Sequence, residues 1–206
     1  MTTSTANKTV GTTLLTTQLV QSNAVVVGPE VSMSNKFAAT VFARVSRTPA
    51  SLGSGNAPVL QIEGRSNATS GWVPIYTWTT ALHTVAPNQQ TFTSNAAAGA
   101  VSVQLSAALG SALSSPLCIY NSATPANSEW NWQRQASTNP TLNNSLANAQ
   151  TTAVSVAISH AEMWAIPLDV STFNHIRLVV NNIWNAVAAP YVANAEVTTF
   201  DSVNTA

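Results

Sequence analysis

Lys36-Phe-Ala-Ala-Thr-Val-Phe-Ala-Arg-Val-Ser-Arg47 reads with a period of two: Phe37, Ala39, Val41, Ala43 and Val45 fall on one side, and Thr40, Phe42, Arg44 and Ser46 on the other. Successive side chains of a β-strand point to opposite faces, so this spacing predicts a strand with one face on a core. The same pattern recurs downstream. Thr48 to Asn56 reads as a loop, and Ala57 to Arg65 follows as a strand, with Leu60 and Ile62 alternating with Gln61 and Glu63. After a turn at residues 64–71 comes Trp72-Val-Pro-Ile-Tyr-Thr-Trp78, dense in aromatic and β-branched residues. Pro74 cannot donate to a ladder, which places that strand at an edge or a bulge.

Further along, residues 86–100 are Asn, Gln, Ser, Thr and Ala, and Val101 to Leu105 alternates again. Ala107 to Leu113 fits a short helical turn, and Pro116 to Tyr120 a short strand. Trp130 and Trp132 lie two apart, hence on one face of a strand. Residues 136–150 read as a long loop. Four more alternating segments follow, at Thr151 to His160, Glu162 to Pro167, Phe173 to Asn181 and Ala189 to Phe200. Eight or more strands with no long amphipathic helix predict an all-β chain, a jelly-roll-like β-sandwich in one domain over residues 31–206. Upstream, residues 1–30 are rich in Thr, Ser, Asn and Val and close on Gly28-Pro29, which predicts an extended N-terminal arm. Such a terminus is either a loose tail or, through Leu15, Val20 and Val25, a segment that pairs with a strand when a partner is present.

Charge narrows the function. Only 7% of the 206 residues are Asp, Glu, Lys or Arg, against about 25% in ordinary soluble domains. Seven acids balance seven bases. A free monomer ordinarily keeps interspersed charge and a net charge away from zero, whereas interface cores are poor in Lys, Glu and Asp and rich in aromatics. Six Trp beside two Lys therefore predict a surface made to be covered, in a homo-oligomer or a larger assembly. The plainer alternative is a monomer kept soluble by uncharged polar side chains. Scattered bases argue against nucleic acid as a partner, and no stretch has the apolar length of a membrane span. The N-terminal residues lack the basic and apolar regions of a signal peptide, so the expected site of synthesis is a cytoplasm. Cys118, alone of its kind, excludes an intrachain disulfide and is expected to be a small buried apolar residue.

The residues that could carry chemistry are few. His83, His160, His175, two Asp and five Glu form no recognised catalytic or metal spacing. His160-Ala-Glu162 puts a base and an acid on one strand face, and His175 would complete a metal set, but a solvated pair is the simpler reading. The expectation is no catalytic residue, no metal and no cofactor. Two other functions remain in view: a hydrolase, which requires two acids converging in a pocket, and a carbohydrate-binding module, which requires Trp72, Tyr76 and Trp78 as an exposed coplanar strip. Trp, Tyr and Arg are the residues most used as interface anchors, which makes Arg44, Trp72, Tyr76, Trp78, Trp130, Trp132 and Arg177 the candidate contacts, with Leu15, Val20 and Val25 from the arm. Arg177, between apolar neighbours, is expected to be exposed or paired across a subunit boundary.

Met163 to Val180 followed by Ala193 to Phe200 resembles the C-terminal strand pair of tailed-bacteriophage virion proteins, and Leu60 to Arg65 through Trp72 to Tyr76 resembles their central hairpin. The resemblance implies a capsid cement or decoration protein on the capsid surface: a jelly-roll-like module, often a trimer, that clamps the major capsid protein and has no catalytic residue. A tail, neck or fibre component is the neighbouring possibility. Residues 86–100 and 136–150 depart from the pattern and leave the docking surface open.

Overall fold

The computed structural model describes residues 7–47, 58–80, 89–109, 115–135, 137–153, 155–183 and 190–201. The described residues form β1 (Asn7–Val20), β2 (Val25–Val27), β3 (Val31–Ser32), β4 (Lys36–Arg47), β5 (Val59–Arg65), β6 (Val73–Thr79), β7 (Gln89–Thr91), β8 (Ser115–Asn121), β9 (Glu129–Gln133), β10 (Val156–Asp169), β11 (His175–Asn181) and β12 (Tyr191–Asp201). The predicted loop at 48–56, most of the predicted helical turn at 107–113, and His83 lie outside the described residues.

The pairings are antiparallel and make two sheets, one ordered β1-β12-β4-β10-β8-β9 with β7 also on β10, the other β2-β11-β5-β6 with β3 also on β11. Pairing first strand with last, β1 with β12, β2 with β11, β4 with β10 and β5 with β6, is the jelly-roll arrangement, a long hairpin rolled into two facing sheets. The chain is an all-β sandwich.

Period two puts the core where the sequence predicts it. Ala39, Val41, Ala43 and Val45 of β4, with Ile166 and Leu168 of β10 and Ala193, Ala195 and Val197 of β12, pack against Leu60 and Ile62 of β5 and Ile176, Leu178 and Val180 of β11. Phe37, expected on that face, lies at the strand end and is exposed. Pro74 satisfies both parts of its expectation: β6 is an edge strand, and its register with β5 shifts between Ile62 and Glu63, so that Ile75 bulges beside the proline.

Three segments differ from the sequence reading. Residues 7–27 are part of the sandwich rather than an arm: β1 runs along β12, and Leu14, Leu15 and Val20 are fully buried in the core. The Thr and Ser residues that make the segment look loose face outward on an edge strand, so composition hid three core aliphatics. Next, the segments predicted at 151–160 and 162–167 are largely one strand, β10. Residues 156–160 pair with β8, and residues 161–169 pair with β4. The burial pattern changes along β10 with the partner, which breaks the apparent period. Finally, the polar tracts at 89–109 and 137–153 are not open loops. They fold over β8 and β10 around a second core of Phe92, Val103, Leu105, Leu109, Leu142 and Leu146 against Leu117, Ile119, Val156 and Ile158. Backbone bonds such as Ala96 N to Gln150 O (2.9 Å) and its reciprocal (2.8 Å) tie them together. Within the annex only Val103 and Leu105 fall in an alternating window, and that segment forms isolated bridges rather than a strand; Phe92, Leu142 and Leu146 are spaced without period.

Candidate functional site

Strand register brings most of the charge into pairs. Arg177 and Glu63 stand directly opposite on β11 and β5, and the guanidinium donates to Glu63 Oε2 from Nε (2.8 Å) and Nη2 (2.7 Å). Arg65 pairs with Glu30 (2.5 Å), Arg44 with Glu196 (2.9 Å), and Lys36 with Asp201. Arg44 also donates to Asn194 Oδ1 (2.6 Å). The other carboxylates serve the backbone and hydroxyls: Glu129 accepts from Ala147 N and Asn148 N, Glu162 from Thr80, and Asp169 from Ser171, whose two hydrogen bonds hold its carboxyl below the usual range. All seven acids thus have partners inside the chain. Arg177 is paired within its own sheet rather than across a boundary. His160 lies against Leu109 O and Ser115, and Glu162 is engaged by Thr80, while His175 sits beyond the far end of β10, about 30 Å of strand away.

The aromatic residues of β6 and its approach separate onto two faces. Trp72 lies on the outer face of the smaller sheet, with the Arg177 and Arg65 guanidiniums 4.1 and 4.7 Å from its ring centre. Trp78 stands opposite Leu60 and packs against the core, while Tyr76, opposite Ile62 on the edge strand, is 46% exposed. Trp78 meets Trp164 of β10 edge-on (5.8 Å, 68°) and Tyr76 at a tilt (5.5 Å, 48°), closing the gap between the two sheets. These rings do not form the coplanar strip that a sugar platform would need.

The larger sheet leaves a different surface. Positions alternating with the core residues put Ala38, Thr40, Phe42 and Arg44 of β4 beside Phe200, Thr198, Glu196 and Asn194 of β12 and beside Asp169, Pro167, Ala165 and Met163 of β10. One end of this outer face is covered, because Cys118, Tyr120 and Trp130 pack there with Ala161, Val192 and Leu19. Asn194 and Thr198 on the β12 side are buried as well, and the exposed part of the face lies along β4 and β10. Phe42 is 38% exposed, and Ala165 and Pro167 are exposed beside it. Along β4 and β10 the exposed positions Phe42, Ala165 and Pro167 are apolar, beside Asp169 at one end and the Arg44–Glu196 pair with Asn194 on the β12 side.

Of the other predicted contacts, Leu15 and Val20 are core residues and cannot reach a partner surface, a correction that follows from β1 being a sandwich strand. Val25 on β2 is exposed. Trp130 is half-buried and donates to Thr17 Oγ1 (3.3 Å), and Trp132 is exposed at the end of β9. Phe42 is not of the Trp, Tyr or Arg type that marks an anchor in sequence, and Ala165 and Pro167 come beside it only through strand pairing.

Cys118 is fully buried, and burial pushes its thiol far above the ordinary range. Since the thiolate is the reactive form, native protein is expected to leave a disulfide reagent such as DTNB essentially unreacted over hours, with one thiol released per chain in guanidinium. Fast native reaction would mean that β8 opens readily.

No protein-family model matches the chain, and no curated protein is similar to it. Among solved structures, the crystal structure of the PBSX exported protein XepA aligns over 93% of this chain and 86% of its own, with 11% identity and a TM-score of 0.25, a level that carries no argument about function.

Proposed function

We propose that the chain is a structural protein of a bacteriophage virion, a capsid cement or decoration module that binds the major capsid protein and further copies of itself, with a trimer favoured, and that turns over no substrate. The observation that carries this reading is the open Phe42 face in a chain whose carboxylates are all engaged internally. A surface of this kind gains from being covered by another uncharged surface, and it gives up little solvation in doing so. The likeness of residues 60–76 and 163–200 to virion β-sequence supports the phage setting, and the jelly-roll fold is compatible with it.

Light scattering on the purified chain tests the association. An oligomer whose mass is unchanged between low and high salt is expected, because few free charges are available to hold it. Phe42→Lys is expected to weaken association at least tenfold without lowering the melting temperature appreciably, since the side chain faces out. A salt-independent monomer that also fails to sediment with phage heads would overturn the reading. Immunogold labelling on tails, necks or fibres instead of heads would keep the structural role and move its place in the virion.

A further inference from the structure

We infer that the annex carries a subsite for an acidic saccharide, a pyranose bearing one carboxylate, at the open end of β9. An open cleft of about 410 Å³ is lined there by Trp132, Gln133, Arg134 and Asn143, large enough for one sugar ring lying partly in solvent. Its frame is fixed by backbone bonds: Asn143 N donates to Trp132 O (2.8 Å) and Arg134 N to Thr141 O (2.8 Å). Asn131, buried beneath, locks the same turn by donating to Asn144 O (2.9 Å) and accepting from Trp132 N (2.8 Å) and Asn144 N (3.1 Å).

The functional groups of this frame are those a sugar acid uses. Trp132, 39% exposed, offers an indole for the apolar face of a pyranose ring. Arg134 differs from Arg44, Arg65 and Arg177 in being held by an amide rather than a carboxylate: Asn143 Oδ1 accepts from its Nε (3.0 Å) and Nη2 (2.7 Å). That contact orients the guanidinium without neutralising it, so its charge is available to a ligand carboxylate. The side-chain NH2 of Asn143, whose oxygen holds Arg134, supplies donors for hydroxyls, while Gln133 is fully buried and forms the floor. One guanidinium suits one carboxylate; nucleotides and polyphosphates would want a cluster of bases, and a chain with seven scattered bases lacks it.

Calorimetry and saturation-transfer NMR on the full chain, with glucuronate and N-acetylneuraminate against glucose and acetate, test the assignment. The sugar acids are expected to bind with a Kd on the order of 1 mM, at least tenfold more tightly than glucose or acetate. Trp132→Ala and Arg134→Gln, both at exposed positions, should each weaken binding at least tenfold with unchanged melting temperature. Equal binding of glucose would remove the role of Arg134, and equal binding of acetate would remove that of Trp132. No binding at tens of millimolar, or binding that survives both substitutions, would overturn the site. None of these outcomes bears on assembly through the Phe42 face, which mass measurements read separately.

Discussion

Deleting residues 1–30 is expected to unfold the sandwich rather than to free it of an appendage. The deletion removes β1 and β2, and with them Leu14, Leu15 and Val20, all fully buried. Losing one buried leucine side chain costs about 2–5 kcal/mol, so three large aliphatics approach the roughly 5–15 kcal/mol that stabilises a whole domain. The deletion also strips β12 and β11 of the strands beside them and leaves their backbone groups open to water or to other chains. Denaturant titration followed by circular dichroism checks this. The full chain should show a cooperative transition, and the truncated one a sloping signal with no baseline, accompanied by aggregation. A truncated chain that keeps the full transition midpoint and slope would return residues 1–30 to the status of an arm.

Gly28→Ala is expected to cost roughly 3–5 kcal/mol, near the upper end for a single substitution. A Cβ on Gly28 would lie 1.9 Å from the Leu14 carbonyl oxygen, and the Gly28 N–H donates to Leu178 O at 2.8 Å, so β1, β2 and β11 meet at this backbone atom. Nothing flexible is there to yield; the strands themselves must move apart. Two other glycines calibrate the argument. At Gly64 an added Cβ meets Ile75 Cδ1 and the Phe173 ring at 2.6 Å, side chains that can shift, so Gly64→Ala is expected to cost about 1–3 kcal/mol. At Gly71 the space is open, and substitution should be nearly neutral. Melting temperatures of the three variants that do not fall in the order Gly28, Gly64, Gly71 would show that this junction relaxes.

Both experiments concern a segment whose role sequence misjudged, and the reason is general to rolled β-folds. The strands of β4, β5, β11 and β12 were legible because each carries its own alternation, and Pro74 marked its edge without help from neighbours. β1 was not legible, since its buried residues Leu14, Leu15 and Val20 are interrupted by register shifts along β12 and diluted by outward-facing threonines. The annex was hidden for another reason: Phe92, Val103, Leu142 and Leu146 come from two tracts some forty residues apart and form a core only where β8 and β10 provide a floor.

The same division holds for the candidate sites. Arg44, Trp72, Trp132 and Arg177 were singled out by residue type, but type did not reveal that Arg177 and Arg65 are spent on carboxylates and on Trp72 while Arg134 is held by an amide. By itself the sequence determined that this is an all-β chain, that its core is built from period-two strands, and that its surface is short of charge, because these depend on local alternation and on composition. Tertiary structure alone decided that the N-terminal residues complete the sandwich, that Phe42 gains Ala165 and Pro167 beside it, and that Trp132 and Arg134 meet Asn143, because each of those contacts joins residues whose separation along the chain carries no periodic signal.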